Sequence, residues 1–540
     1  MAKKRILTFL ICSVLLISST FVVSFATDGG EVINYGWLSL LPPLLTIVLA
    51  FVTKQTIVSM FMGIWLGATI MSGWNPIDGL LTGFTRFIFG SIADSWNAGM
   101  LVIMVLIGGF IYMLSASGAS AAFEKWGEKH VNSRFKAQLL TWIAPFVFIF
   151  NQGCLLVGII MRPITDKNRV SRVKLAYFTD ALGAPLVSMS PISDNGVYLV
   201  GLIAAQIAGL GIVGTTAYQL YFGMFAFNFY GVFSVLAALF VILFSLDIGP
   251  MYKAEKRAAE TGEVYGPEDK LISSPPPSDI PASYKLTYKN IVIPLVTFFV
   301  TIFGTIFYTG KIWENGFIGS FLNSNIQIAI ALSFLTGAVA ASIVAVATKL
   351  LTVSNCIDKW TSGGGMMVHV IIILVMAWSI SQVTKDMQIG PFLTELVRSS
   401  LPAGIIPAVI FLIGVIISFA TGSSWGVWAL GMPIAIPMAH ELGLSIPLAI
   451  GAVVSGGLFG DHCSPISDTT IQSSTGACCD HLEHVKTQLP YALIVGISSF
   501  IGYLASGFIN EYVGIAVTLV LVLGALLVAK YFTRHQKRLV

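Results

Sequence analysis

The chain has 540 residues, 56% hydrophobic and only 10% charged, with a formal net charge of +4 and a mean hydropathy of +0.85. A soluble domain carries roughly 25% charged residues, so the composition excludes a soluble protein and indicates a multi-pass membrane protein. The small positive charge falls in loops and gives no reason to expect a nucleic-acid partner, and the six cysteines form no disulfide framework.

Residues 1–36 stand apart. Lys3-Lys4-Arg5 precede an apolar run from Ile6 to Phe25, and Ser24-Phe25-Ala26 resembles a signal-peptidase site, so this is either a cleaved signal or an extra first helix. Apolar segments long enough to span a bilayer follow at about 37–53, 55–73, 98–116, 218–247, 290–309, 325–349, 366–384, 490–508 and 512–530. Four other stretches are interrupted. Leu139–Met161 contains Asn151-Gln152-Gly153, and Pro402–Ala439 contains Thr421-Gly422-Ser423-Ser424. The segments 173–210 and 446–475 each carry the pentapeptide Ser-Pro-Ile-Ser-Asp, at Ser190–Asp194 and again at Ser464–Asp468, 274 residues later.

Charge decides the threading. Basic loops flank 139–161 on both sides (Lys125, Lys129, Arg134 and Lys136; Arg162, Lys167, Arg169, Arg172 and Lys174), so a simple span would put one of them outside. A re-entrant hairpin that enters and leaves from the cytoplasm removes the conflict, because irregular backbone is tolerated at membrane depth where protein or water satisfies it. With 402–439 as a matching hairpin from outside, 26 of the 30 lysines and arginines fall on the cytoplasmic side. The expected fold is therefore all-α and polytopic, with two inverted-topology repeats, each holding a re-entrant hairpin and a broken helix. The repeats are 37–249 and 290–511, joined by a polar cytoplasmic linker at 250–289 and followed by a C-terminal helix and basic tail at 512–540.

Pro191 and Pro465 open their helices by removing a backbone donor and clashing with the preceding turn. The freed carbonyls, a carboxylate and nearby hydroxyls together make hard oxygen ligation suited to a small cation. Aspartate at mid-membrane is costly, about 2.5–3.5 kcal/mol on insertion scales, which points to function. The candidate cation- and proton-binding residues are Asp194, Asp468, Asp461, Ser190, Ser193, Ser464, Ser467, Asn195 and Thr469, with Asp194 and Asp468 expected at the N-caps of the second half-helices. Asn151, Thr421 and Ser423 at the hairpin tips are added candidates, and Asp180, one half-helix before its break, is a weaker one. His462, Cys463, Cys478, Cys479, His481 and His484 match no compact zinc spacing, and His369 reads as a packed histidine. Gly457–Asp461 misses the Gly-x-Gly-Asp pattern of intramembrane aspartyl proteases by one residue.

The run Gly460-Asp461-His462-Cys463-Ser464-Pro465-Ile466-Ser467-Asp468-Thr469-Thr470, with its partial copy at 190–194, resembles the NhaC family of sodium/proton antiporters, and the resemblance extends over nearly all the chain after residue 36. It implies two inverted repeats meeting at a central site, dimers with elevator-like motion, and a place in the cytoplasmic (inner) membrane. The expected function is exchange of Na+ for H+ by secondary active transport, with both ions as cargo, no cofactor and no enzymatic activity. The alternative is Na+- or H+-coupled transport or exchange of an organic acid or amino acid, since NhaC-like chains include such transporters.

Overall fold

The computed structural model describes residues 35–53, 55–119, 129–147, 154–271, 288–389, 402–465 and 467–535, with 122, 127, 149 and 392. These residues are helical, with no strand among them. The first repeat contains α1 (Leu41–Thr53), α2 (Thr56–Met71), α3 (Pro76–Ala93) and α4 (Ser95–Ala116). The hairpin arms α5 (Arg134–Val147) and α6 (Cys154–Lys167) come next. They lead to the broken helix, α7 (Arg172–Ser188) and α8 (Asp194–Leu210), then to α9 (Ala217–Phe227) and α10 (Phe229–Phe244). A linker helix, α11 (Gly249–Thr261), follows.

The second repeat contains α12 (Lys289–Thr309), α13 (Ile312–Asn323), α14 (Ile326–Ala347), α15 (Val353–Met366) and α16 (Val368–Asp386). Its hairpin arms are α17 (Ile406–Thr421) and α18 (Ser424–Glu441), and its broken helix is α19 (Ile446–Cys463) and α20 (Asp468–Ala477). The chain closes with α21 (His481–Phe508) and α22 (Glu511–His535). Among the described residues seven helices are long and apolar enough to cross a membrane, or nine if each bent pair counts as one.

Contacts between helices are reciprocal, as a two-fold relation between repeats requires. Helix α4 packs on α14 and α15 of the other repeat, and α16 packs in turn on α2 and α3. The hairpin arm α6 lies on α20, and α18 lies on α8. Likewise α7 meets α21 where α19 meets α10. Backbones approach closely where small residues allow it: a Cβ on Gly158 of α6 would sit 2.8 Å from the Gly476 carbonyl carbon of α20. The first arms of the broken helices, α7 and α19, are the most enclosed elements. Every residue of α19 from Leu448 to Cys463 is buried, whereas α12 and α22 turn most of their apolar surface outward, as lipid-facing helices do.

Two elements differ from the sequence reading. The stretch expected as an outer loop after α2 is helical: α3 bends back from α2 by 116°, capped by Asn75 with Pro76 in its first turn. Its counterpart α15 leads into α16 in the second repeat. The linker is also partly folded, because Gly249–Thr261 forms α11 and buries Glu255. Residues 1–34 and 272–287 lie outside the described residues.

Candidate functional site

The second break is built around Asp461. Helix α19 ends at Cys463, and α20 begins after Ser467, whose hydroxyl accepts the Thr470 amide at 3.3 Å as N-cap. The same hydroxyl donates to Asp461 Oδ1 at 2.6 Å, and Thr469 Oγ1 donates to Oδ2 at 3.1 Å. Ser467 and Thr469 also lie within 3.1 Å of each other. Asp461 is 1% exposed and forms no ion pair with lysine or arginine among the described residues. A buried carboxylate without a cationic partner is costly, and here only hydroxyls offset that cost. The second hairpin closes one side. Ser464 Oγ donates to the Phe419 carbonyl at 2.8 Å, and the Asp468 amide to the Gly422 carbonyl at 3.4 Å.

The first break is self-contained. Ser193 caps α8 by accepting the Gly196 amide at 2.9 Å, and its hydroxyl donates to the Val187 and Ser190 carbonyls at 2.6 and 2.7 Å. A Cβ on Gly196 would meet the Ser190 carbonyl oxygen at 1.8 Å, so the turn closes only over glycine. Asp194 is buried, and its Oδ1 accepts the Asn195 amide at 2.7 Å. It makes no hydrogen bond or ion pair to Asp461 among the described residues. Ser190 and Asn195 are buried beside it.

The expected caps are therefore corrected. Serine, not aspartate, is the N-cap in both copies, because a hydroxyl one residue earlier reaches the third amide of the half-helix. Asp194 and Asp468 become the first helical residues, where the helix dipole favours a negative charge. The two differ in setting: Asp194 is buried and Asp468 is exposed. At the tip of the second hairpin, Thr421 Oγ1 donates back to the Ile417 carbonyl at 2.9 Å, and Ser423 precedes α18 without a side-chain cap bond. Asn151 lies outside the described residues.

A second buried cluster adjoins the first. Asp180 on α7 is 0% exposed, and its Oδ2 accepts Thr470 Oγ1 at 3.0 Å and Gln488 Nε2 at 2.6 Å. His484 Nε2 stands 3.5 Å from Oδ2, and His462 Nε2 4.0 Å from Oδ1. His462 Nδ1 is 3.0 Å from Tyr230 Oη. A polar chain then links the halves. Tyr503 Oη donates to Ser455 Oγ at 2.7 Å, Ser455 to Asn228 Oδ1 at 2.9 Å, and Asn228 Nδ2 to Ser188 Oγ at 3.3 Å.

Sequence reasoning does not single out Gln488 or Tyr230, takes His484 only as a zinc candidate, and meets Thr470 only within the run 460–470. One signal was present: His484 and Gln488 sit four residues apart, on one face of α21. Lysine burial was also missed. Lys174, 1% exposed, pairs with Asp247 at 2.7 Å and Glu255 at 3.3 Å at the start of α7.

Known proteins share this framework. A family model described as the Na+/H+ antiporter family matches residues 186–508. An uncharacterized protein of Haemophilus influenzae is 32% identical over 492 residues, covering 88% of this chain and 92% of its own. The Malate-2H(+)/Na(+)-lactate antiporter of Bacillus subtilis is 35% identical over 97 residues, 17% of this chain and 21% of its own. Among solved structures, the YdaH transporter of Alcanivorax borkumensis shares the fold, with a TM-score of 0.55 at 14% identity over 86% of this chain and 98% of that one. The family match takes in the first break with α8, the whole second broken helix and the hairpin that closes on Asp461, and the Haemophilus relative aligns over nearly its full length. The chain belongs to the Na+/H+ antiporter family.

Proposed function

We propose that this secondary transporter exchanges Na+ for H+ across the cytoplasmic membrane and that Asp461 holds the exchanged ions. One observation carries this reading: a fully buried carboxylate in a helix break, with both oxygens engaged by the hydroxyls of Ser467 and Thr469 and no basic side chain as partner. Hydroxyls donate or accept, so the two can turn their lone pairs to a sodium ion or their protons to the carboxylate. Sodium requires the ionised carboxylate and a proton neutralises it, so either ion excludes the other. Ser464, Asp468 and the Thr421–Ser423 tip border this pocket. Asp194 with Ser190, Ser193 and Asn195 forms the corresponding position in the first repeat.

A second reading, coupled exchange of an organic acid, is favoured by a cleft of about 1030 Å3 lined by Arg86, Asn97, Gln327, Trp378, Gln382 and Lys385. Its size suits a small organic ligand, and the Bacillus relative is by name a malate and lactate antiporter. Reconstitution separates the two. Purified protein in liposomes should collapse an imposed pH gradient when sodium is added with no organic solute present. Sodium affinity should tighten as pH rises and level off once the site is deprotonated. An affinity that stays flat between about pH 6 and 8.5, far from the reference carboxylate range, would transfer the function to the organic-solute reading.

A further inference from the structure

We propose that Asp180 and His484 form a proton-binding site separate from the Asp461 pocket and coupled to it through the first turn of α20. The proposal rests on the exchange reading and gives its proton a second location. Both side chains are 0% exposed, with His484 Nε2 3.5 Å from Asp180 Oδ2. Neither ring nitrogen of His484 has a hydrogen-bond partner among the described residues, and neither does Asp180 Oδ1. Buried polar atoms are nearly always paired, and a proton shared by carboxylate and imidazole supplies the missing pairing. With one proton the pair is neutral overall. Without it, the pair carries a lone negative charge in a dry interior.

The surroundings leave that charge for a proton. Thr470 and Gln488 donate to Asp180 but carry no charge. Facing Asp180 are His462 and Cys463 on α19 with Asp461 beyond them, Tyr230 on α10, and Cys154 on α6. No lysine or arginine is among them. Asp194 opens α8 on the far side of the first break, Asp468 opens α20, and Arg134 of α5 is bound to Glu255 of α11. The buried cation of α7, Lys174, is occupied by Asp247 and Glu255. Nor do these side chains gather into a metal centre among the described residues. A cavity of about 10 Å3 lies next to two neighbours of Asp180, His462 and Gln488, and is lined also by Tyr177, Tyr230, Ser234 and Tyr491. That is about the room one water needs, and Tyr491 Oη reaches the Leu246 carbonyl, next to Asp247.

Coupling follows from adjacency. Thr469 donates to Asp461 and Thr470 to Asp180, while Ser467 both caps the Thr470 amide and donates to Asp461. Sodium drawn to Asp461 recruits Thr469 and shifts the turn that carries Thr470. Its charge also repels a proton held nearby, and such repulsion is strong where the effective dielectric is low.

Calorimetry of sodium binding in buffers of different ionisation enthalpy counts the protons released per sodium bound. In His484→Asn and Asp180→Asn the count should fall by at least half, and the dependence of affinity on pH should flatten. Near pH 9 affinity should move less than about threefold, a factor worth under 1 kcal/mol. An unchanged proton count in both variants overturns the proposal. Should the variants fail to fold, nitrogen NMR of histidine-labelled wild-type protein decides: sodium added at constant pH should convert one imidazole from charged to neutral, and no sodium-sensitive imidazole refutes the site. Wild-type protein that binds no sodium overturns the exchange reading itself, and the coupling with it. Sodium binding with no imidazole response overturns only the present proposal.

Discussion

At the scale of single residues, the two copies of the pentapeptide are alike in sequence and unlike in chemistry. Ser193 and Ser467 cap their half-helices in the same way, yet only the second break has a carboxylate across from its hydroxyls. At the repeat offset, the position of Asp461 is taken by Val187, and that of Asp180 by Val454. Asp461 and Asp180 therefore lie off the symmetry that shapes the scaffold and relates Asp194 to Asp468. This ranks the aspartates. Asp461→Asn should abolish sodium binding, whereas Asp468→Asn, at an exposed position, should weaken it only severalfold. Ser467→Ala and Thr469→Val each remove one hydroxyl from the pocket and should weaken sodium binding about tenfold, or about 1.4 kcal/mol. Asp194→Asn tests whether the first break binds an ion as well. Isothermal titration of the purified variants measures all five, and full sodium affinity in Asp461→Asn would remove that residue from the centre of the site.

Among the elements, legibility followed local cause. Proline in a polar pentapeptide, Asn-Gln-Gly and Thr-Gly-Ser-Ser all interrupt apolar runs, so both broken helices and the hairpin arms could be read in advance. The helix α3, bent back from α2 by 116°, could not, because Asp78 and Arg86 interrupt its apolar residues. Contacts of Asp180 with Thr470 and Gln488 cross 290 and 308 residues, and no local pattern announces them. Helix α11 was hidden for the opposite reason: its polar composition reads as linker, while one face docks on α7 and α21. Glu255 anchors it, bonding Arg134 at 2.5 Å, Lys174 at 3.3 Å and the Ser171 amide at 2.7 Å. Burial works against the charge on Glu255, but Lys174 and Arg134 hold it below the usual glutamate value. A lowered value means that this stabilisation is present above the unfolded titration near 4.3 and is lost as pH falls through the folded value. Glu255→Gln should cost about 3 kcal/mol, near the lower end for breaking a buried ion pair. A lower unfolding temperature and faster proteolysis near residue 261 would show it. Unchanged proteolysis would mean that α11 is held by its apolar contacts alone.

For the whole molecule, the reciprocal packing of the repeats carries a prediction about sidedness. If α4 stands to α15 as α16 stands to α3, and α6 to α20 as α18 to α8, a two-fold axis in the membrane plane relates the halves, and any feature at one surface recurs at the other. The hairpins are the clearest such pair. Basic residues crowd both ends of the first, at Arg134, Lys136, Arg162 and Lys167, and are absent from the arms of the second. The positive-inside rule places the first on the cytoplasmic side, and symmetry then places the second outside. Neither α5 and α6, at 14 residues each, nor α17 at 16 residues is long enough to cross a bilayer alone. A hairpin with such short arms is expected to turn back within the membrane, with its tip reached from the side on which it enters. Single cysteines at Asn151 and Ser423, in a background freed of the native cysteines, test this with a membrane-impermeant thiol reagent applied to vesicles of known orientation. Asn151→Cys should label from the cytoplasmic side and Ser423→Cys from the outside. Sodium should protect Ser423→Cys more strongly, because its tip lies beside Gly422, whose carbonyl accepts the amide that opens α20. Labelling of both cysteines from one side would break the two-fold relation, and with it the placement of the two hairpins on opposite faces.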